Sequence, residues 1–375
     1  MCLSRTAAIM LLALSHSFLG VDGHITRADD VPRNVVLVIA DGMGPEQIEL
    51  TRIWLNGDTE PLNFETLPRV AMMTTENASG GVTDSAAAGT AMATGNKVDN
   101  GVIALRIPGD GSELPTVLEL FSQRQKSTGI VVHSASLVDA TSAAFIAHEP
   151  SRYDLAAIER DFLDQSRPNV LLGQDFAAFD EAAARLTGYQ VAHDASTLES
   201  LSLTGPTHLI GIWPPTAEPS LQFETEVALD LLDDNPAGFF LLVHEQGPDL
   251  GGHANSRSIT RDGVLSVVSA VDTILSWALP RSDTLIVVTS DHETGGLSIL
   301  ENHGAGILPT VSWSTASHTS QPVNVFASSN VTGLSDRIDN TELFRVLYVP
   351  ELYGGPLFET ICAACMFSLV RRKCV

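Results

Sequence analysis

Residues 34–40 read NVVLVIA, an apolar run rich in β-branched side chains that stops at Asp41-Gly42. Such a run is typical of a strand that is buried on both faces of a sheet. Further runs of this kind lie at residues 129–132, 169–172, 208–213, 238–243, 284–289 and 323–327. Helical patterns lie between them, at residues 45–55, 86–93, 114–125, 153–165, 224–232 and 260–277. Strands that alternate with helices predict the α/β class, with a doubly wound, largely parallel central sheet and helices on both of its faces.

The composition is that of a globular protein with a strong acidic bias. The 375 residues are 44% hydrophobic and 18% charged, which is enough apolar material for a sizeable core. The formal net charge is −24, and an acidic surface argues against binding to nucleic acids or to anionic membranes. It also repels anionic substrates at long range, so a site that handles phosphate needs positive charge of its own. Metal ions would supply that charge.

The two ends of the chain differ in composition from the part between them. Residues 1–23 have a basic start, an apolar stretch and small residues at their end, which predicts a signal peptide and export to the periplasm or the extracellular space. The length of residues 24–360 is compatible with two domains or with one large α/β domain. Residues 361–375 form a cysteine-containing tail whose role the sequence does not define. A closing helix is favoured there over a membrane anchor, and a processed sorting tail is the alternative.

Acidic side chains follow three of the predicted strands. Asp41, Glu245 and the pair Asp291-His292 each stand where an apolar run ends. Ligands of parallel sheets bind outside the carboxyl ends of the strands, so these side chains are expected to converge. Asp249 and His253 follow four residues apart in a Gly-rich turn, and His318 comes later. Aspartate oxygen and histidine nitrogen together suit four-coordinate zinc.

Residues 80–97 read GGVTDSAAAGTAMATGNK, in which small residues lead into a predicted helix. Ser85 falls where that helix begins, and helix N-termini attract anions such as phosphate. A nucleophilic or phosphate-facing Ser85 is one interpretation. An ordinary helix cap is the other.

Six motifs in this order resemble those of the alkaline phosphatases. They span residues 38–319 and read VIADGMG (38–44), VTDSAAAGTAMATG (82–95), VDATSAAFIAH (138–148) followed by Ser151-Arg152, PDLGGHA (248–254), TSDHETGG (289–296) and SHT (317–319). The resemblance implies an alkaline-phosphatase-like fold, with residues 24–360 as its catalytic domain. It also implies hydrolysis of phosphate monoesters through a phosphoserine intermediate on Ser85.

The resemblance further implies a centre with two zinc ions and one magnesium ion. Asp249, His253 and His318 would hold the first zinc. Asp41, Asp291 and His292 would hold the second, which would also meet the hydroxyl of Ser85. The magnesium ligands would include Asp41, Asp139 and Thr141. Arg152 falls at the position of the family's phosphate-binding arginine, and Asp84 would orient it.

Two positions depart from the family pattern. The family places a magnesium-binding glutamate five residues before the first-zinc aspartate, where this chain has His244, with Glu245 one residue later. A shift of one residue turns a strand side chain to the other face of the sheet, unless a bulge corrects it. Glu245 is predicted to serve the metal through such a bulge, and His244 is the alternative. The second departure is Leu250, which cannot support phosphate through water as the polar residues of many relatives can.

The sequence therefore predicts an exported metallohydrolase that acts on phosphomonoesters. One alternative is hydrolysis of phosphodiesters or sulfate esters on the same metals, although Arg152 favours a terminal phosphoryl group. A secreted phosphate- or metal-binding protein without turnover is the other. Membrane attachment is not expected, and the sequence leaves a homodimer open.

Overall fold

The computed structural model describes residues 32–202, 207–329, 331 and 333–348. The predicted signal peptide, residues 1–23, and the tail, residues 361–375, lie outside the described residues. Within the part that is described, no helix is both long and apolar enough to cross a membrane.

A ten-stranded sheet forms the centre of the molecule. In chain order its strands are β1 Asn34–Ala40, β2 Arg69–Thr74, β3 Ser127–Ser136, β4 Val170–Gln174, β5 Gln190–Ala192, β6 Leu209–Trp213, β7 Phe239–Glu245, β8 Thr284–Thr289, β13 Val323–Ala327 and β14 Arg337–Asp339. Their spatial order across the sheet is β14, β2, β13, β8, β1, β7, β3, β4, β6 and β5. β13 pairs antiparallel with both β2 and β8, and the other pairs in this sheet are parallel. The predicted α/β class with a largely parallel sheet is confirmed.

Two small antiparallel sheets follow β8 along the chain. One pairs β10 Leu297–Glu301 with β11 Thr310–Trp313, and the other pairs β9 Glu293–Thr294 with β12 His318–Thr319. The second of these pairs matters for the site, because it fixes the segment of His318 beside the end of β8.

Helices cover both faces of the central sheet. They are α1 Pro45–Asn56, α2 Ser85–Thr94, α3 Val117–Gln123, α4 Ala140–Ala143, α5 Leu155–Asp161, α6 Glu181–Leu186, α7 Ala195–Ser202, α8 Leu221–Asp233, α9 Gly247–His253, α10 Arg257–Ala278 and α11 Asn340–Leu347. Residues of α2, α3, α4, α5 and α11 pack into the apolar core on one face, which we call face A. Residues of α1, α7, α8 and α10 pack into the core on the other, which we call face B.

The alternation of side chains along β1 and β7 decides which face each residue reaches. In β1, Val35, Leu37 and Ile39 enter the face A core, whereas Val36, Val38 and Ala40 enter the face B core. All seven residues of β1 are fully or nearly fully buried, as expected for a strand covered on both sides. In β7, even-numbered residues such as Leu242 face A and odd-numbered ones such as Val243 face B.

Candidate active site

The acids predicted at the strand ends lie together where β1 and β8 end. Asp41 follows β1, Asp291 and His292 follow β8, and all three side chains are fully buried. The backbone N–H groups of Gly42 and His292 both donate to Asp291 Oδ1, at 3.2 and 2.9 Å. His292 Nε2 lies 3.5 Å from Asp41 Oδ1 and 3.2 Å from Asp291 Oδ2. The structure therefore brings these three predicted residues together.

Gly42 allows a neighbouring segment to approach this group closely. Its φ is +71°, in the left-handed region that favours glycine. A Cβ atom at this position would lie 2.6 Å from Cα of Asp249, which is too close for real atoms. Because residue 42 has no side chain, α9 can place Asp249 beside Asp41.

Ser85 is the first residue of α2 and is not its cap. The cap is Asp84, whose carboxylate accepts a hydrogen bond of 3.0 Å from the N–H of Ala87. The hydroxyl of Ser85 is therefore not used in capping, and its Oγ lies 3.3 Å from His292 Nε2. Ser85 is only 5% exposed. Of the two interpretations of Ser85, the helix cap is wrong.

Asp249, His253 and His318 form a second group, on the more open side of the first. Asp249 lies 3.3 Å from His253 Nε2 and 3.5 Å from His318 Nε2. The other ring nitrogens point at backbone carbonyls: His253 Nδ1 lies 2.8 Å from the oxygen of Ala316, and His318 Nδ1 lies 3.0 Å from that of Thr83. The two Nε2 atoms lie 3.2 Å apart, a distance at which they must share either a proton or a cation.

The pKa directions show how strongly these groups interact. Burial raises the pKa of Asp41 well above its usual value, and the carboxylates of Asp291 and Asp249 raise it further. Burial also acts to raise the pKa of Asp249, but hydrogen bonding to His253 and the nearby imidazoles outweigh it and lower the pKa. The same hydrogen bond raises the pKa of His253 to about 9. So much buried negative charge calls for positive charge among the carboxylates.

A third group contains Asp41, Asp139 and His244, whose ligand-type atoms lie within 4.8 Å of one another. His244 Nε2 lies 3.2 Å from Asp41 Oδ2, and both side chains are fully buried. The hydroxyl of Thr141 lies 3.3 Å from Asp41 Oδ2 and 3.2 Å from Asp291 Oδ2 and can donate to either. Asp139 and Thr141 therefore both lie beside Asp41.

Glu245 does not join the third group, and the structure corrects that prediction. Its carboxylate accepts a hydrogen bond from the N–H of Gly247 at 2.7 Å and lies 2.7 Å from His133 Nδ1. β7 runs in regular register with β1 through Ala40 and Glu245, so no bulge turns the side chain back. Because strand side chains alternate, His244 reaches face A, where Asp41 lies, and Glu245 reaches face B.

Arg152 lies beside the start of α2. Its Nη1 donates to Asp84 Oδ2 at 3.2 Å, and its Nη2 lies 4.0 Å from Asp139 Oδ1. The side chain is 19% exposed, so part of the guanidinium is accessible. Asp84 Oδ2 also accepts a hydrogen bond of 2.9 Å from the N–H of Gly101. Asp84 thus connects the cap of α2 to the orientation of Arg152.

Thr294 is a site residue that the sequence analysis did not single out. Its hydroxyl donates to Asp249 Oδ1 at 2.5 Å and lies 3.2 Å from His292 Nδ1. It therefore orients one ligand-type residue from each of the first two groups. The sequence feature that pointed to Thr294 was its place in the motif TSDHETGG, two residues after His292.

The residues present fit metal ions. Asp41 Oδ1 and His244 Nδ1 are buried and have no hydrogen-bond partner among the described residues. Besides the other two groups, ligand-type atoms of Asp41, Asp249 and His292 also lie within 4.8 Å of one another. A mixture of carboxylate oxygen and imidazole nitrogen is the donor set of zinc and its neighbours in the first transition row.

The sheet and the groups at its rim define an α/β protein that gathers candidate metal ligands at the carboxyl ends of its central strands. The sequence profile of the alkaline phosphatase family matches residues 32–173 and 190–311. Alkaline phosphatase 4 of Bacillus subtilis is 32% identical over 297 residues, which cover 72% of this chain and 63% of that protein. Streptomycin-6-phosphate phosphatase of Streptomyces griseus is 30% identical and matches over 83% of this chain and 89% of that protein.

Solved structures agree with these relatives. The crystal structure of a cold-active alkaline phosphatase from Shewanella sp. has a TM-score of 0.76 and 28% identity, covering 86% of this chain and all of that one. This chain belongs to the alkaline phosphatase family, and the resemblance seen in its motifs is confirmed. It spans a little under two thirds of the length of the two Bacillus subtilis relatives, at 63% of each.

Proposed function

We propose that this chain hydrolyses phosphate monoesters to an alcohol and phosphate, with Ser85 as the nucleophile. The observation that carries the proposal is the placement of the Ser85 hydroxyl. It lies at the N-terminus of α2, 3.3 Å from His292 Nε2, and the capping role there belongs to Asp84. A buried hydroxyl that is free of a structural role, among candidate metal ligands, is arranged for reaction.

In the proposed reaction Ser85 Oγ attacks phosphorus, the P–O bond to the alcohol breaks and phosphoserine forms. Water then attacks phosphorus, the Ser85–phosphate bond breaks, and phosphate leaves with the enzyme restored. The N-terminus of α2 favours the negative charge of phosphate at this position. His253 is 43% exposed whereas His292 is fully buried, so the alcohol would leave, and water enter, on the His253 side.

Arg152 would hold the phosphoryl group during both steps. A guanidinium offers a planar pair of donors that matches two oxygens of a phosphate. Asp84 keeps the guanidinium in place through Nη1, which leaves its other donors for the substrate. A monoester offers one more free oxygen than a diester, and this favours monoesters as substrates.

We propose that Asp249, His253 and His318 hold one zinc ion, and that Asp41, Asp291 and His292 hold a second. Zinc supplies, when bound, the positive charge that favours the alkoxide of Ser85 and stabilises the departing oxygen. Asp249 lies close to His292 as well as to His253, so the two zinc positions would be neighbours. Thr294 would keep Asp249 and His292 in their orientations.

The third group was predicted to hold magnesium, and its donors support this only in part. Asp41, Asp139 and Thr141 offer the oxygen atoms that magnesium prefers. His244 offers a nitrogen, which favours zinc or another transition ion over magnesium. We propose that a divalent ion is held here and that His244 weakens the preference for magnesium.

The remaining parts of the proposal rest on the sequence. Export to the periplasm or the extracellular space rests on residues 1–23, and broad tolerance of the alcohol group rests on the family resemblance. A homodimer stays open. The acidic net charge of −24 supports the absence of a nucleic-acid-binding surface.

The test is replacement of Ser85 by alanine, with Ser79→Ala as the matched control in the exposed loop just before α2. We expect Ser85→Ala to lower the rate with nitrophenyl phosphate by about three orders of magnitude or more, because the nucleophile is lost. Ser79→Ala should keep the wild-type rate. The wild-type rate is also measured with bis-nitrophenyl phosphate, a diester, and with nitrophenyl sulfate, to compare the three classes of ester.

An unchanged phosphomonoesterase rate in Ser85→Ala would refute the mechanism. A wild-type rate that is highest with the diester or the sulfate would refute the substrate class. Phosphate binding without turnover of any of the three esters, with all metals loaded, would support the alternative of a binding protein and refute the proposed reaction.

A further inference from the structure

A separate cluster of ionisable side chains lies on face B, behind the candidate active site. It contains His133 near the end of β3, Glu245 at the end of β7, Glu218 before α8 and Glu224 in the first turn of α8. His133 and Glu245 are register partners in the parallel pair β3–β7. Ligand-type atoms of His133, Glu218 and Glu224 all lie within 4.8 Å of one another. None of these residues has a role in the proposed reaction.

Glu224 is the feature that requires explanation. Its side chain is fully buried, and neither carboxylate oxygen has a hydrogen-bond partner among the described residues. Burial raises the pKa of Glu224 well above its usual value, and the carboxylates of Glu218 and Glu245 raise it further, while the indole of Trp213 acts in the opposite direction. A buried carboxylate that meets no donor in good hydrogen-bond geometry is costly, so a proton or a cation is expected beside Glu224.

The other members of the cluster are oriented toward Glu224 by hydrogen bonds of their own. Gln174 Nε2 donates to Glu218 at 2.8 Å, and the N–H of Ser134 lies 3.2 Å from both of its carboxylate oxygens. His133 Nδ1 lies 2.7 Å from Glu245 and 3.1 Å from the hydroxyl of Ser134.

The imidazole of His133 has the orientation of a metal ligand. With Nδ1 bound to the carboxylate of Glu245, Nε2 is left to face Glu218 Oε2 at 3.7 Å. The backbone carbonyl of Pro219 also accepts a hydrogen bond from this ring. Metal-bound histidines in proteins usually make this contact, in which a carboxylate accepts from the second nitrogen and fixes the ring.

We propose that His133, Glu218 and Glu224 bind a divalent transition-metal ion, with zinc as the reference ion. One imidazole nitrogen and two carboxylates form a donor set suited to zinc and manganese rather than to magnesium or calcium. Glu245 fixes His133 and adds negative charge next to the ion. The ion would join α8 and the segment before it to the ends of β3 and β7, so its role would be structural.

This site is distinct from the candidate active site, although the two are separated only by the thickness of β7. Consecutive residues of that strand serve them: His244 points to Asp41 on face A, and Glu245 points to His133 on face B. The proposal does not depend on the proposed function, because no residue of the face B cluster belongs to the reacting groups.

The experiment uses the full chain, stripped with a chelator and reloaded with Zn²⁺. Two variants remove donors, Glu224→Gln and His133→Gln, and Glu226→Gln on the exposed side of the same helix is the control. We expect wild type and Glu226→Gln to retain one more zinc ion per chain than either donor variant. A crystal of the reloaded wild type should show a zinc anomalous peak between His133 Nε2 and Glu224.

Equal zinc content in wild type and both donor variants, or no anomalous peak at this position, would overturn the proposal. If Glu224→Gln does not fold, the partly exposed His133→Gln and the anomalous map still decide. Phosphatase activity gives a separate readout, because loss of the face B ion should leave turnover with nitrophenyl phosphate unchanged when the chain is folded.

Discussion

Replacement of Asp84 by alanine tests how one carboxylate supports both the fold and the candidate site. The side chain makes three contacts: it caps α2 through Ala87, accepts from the N–H of Gly101 and holds Arg152. Loss of the cap costs about 1 kcal/mol. Loss of the charge-assisted bond to Gly101 costs about 2 kcal/mol. The partly exposed ion pair with Arg152 adds less than about 1 kcal/mol.

We therefore expect Asp84→Ala to lower the free energy of unfolding by about 3 kcal/mol. The matched control is Asp180→Ala, which removes a capping bond of 3.0 Å to Ala183 at the start of α6. That bond is exposed and has no second role, so the control should lose about 1 kcal/mol. Chemical denaturation measures both values.

The same pair of variants separates stability from function. With Asp84 removed, Arg152 loses its side-chain hydrogen bond and keeps the 4.0 Å contact with Asp139 and the Tyr153 ring beside it, so phosphate should bind about tenfold more weakly, a change of about 1.4 kcal/mol. Asp180→Ala should bind phosphate as wild type does. The reasoning fails if the two variants lose equal stability and have equal inhibition constants for inorganic phosphate.

Three further predictions concern the metal groups, Leu250 and a buried ion pair. His244→Glu should raise the magnesium content of the purified chain at the expense of zinc, because it replaces a nitrogen donor by oxygen; metal analysis would refute this if the ratio is unchanged. Leu250 is 42% exposed, and the Leu250→Lys variant should bind phosphate more tightly than the wild-type protein. Equal product inhibition by phosphate in the two proteins would contradict this. The contact of 3.0 Å between Glu119 and His148 lowers the pKa of Glu119 below 4.5 and raises that of His148 above 6.5, despite burial, which opposes both shifts. The ion pair therefore stabilises the fold less as pH falls through the pKa of Glu119 or rises through the pKa of His148. Glu119→Gln should destabilise the fold most between about pH 4.5 and 6.5. A difference in stability between the two proteins that does not vary with pH would contradict this prediction.

The central strands could be predicted because burial on both faces leaves a direct mark on the sequence. The predicted bounds of β1, β8 and β13 coincide with the observed ones. β2 was missed because it begins with two exposed residues and then alternates between buried and partly buried ones, so no continuous buried apolar run results. α9 was missed because GPDLGGH has low helix propensity. Tertiary packing holds it, since a Cβ at Gly247 would lie 2.7 Å from Cα of Gly263 in α10.

Some of the site residues could also be placed from the sequence, and others could not. The placement of Asp41, Asp291 and His292 at strand ends followed from the general geometry of parallel sheets. The choice between His244 and Glu245 depended on whether β7 contains a bulge, and spacing alone does not report a bulge. The face B cluster could not be found in advance, because Glu218 and Glu224 join it from a segment that no motif marks.

The pairing of β1 has a consequence for how the chain must fold during synthesis. Val35 pairs with Phe240 on one side and with Leu285 on the other, which are 205 and 250 positions further along the chain. At about 5–20 residues per second, a ribosome would need roughly ten seconds to most of a minute to supply both neighbours. During that interval the apolar segment NVVLVIA has no native partner. Newly made chains must therefore keep this segment from aggregating until both neighbouring strands are available.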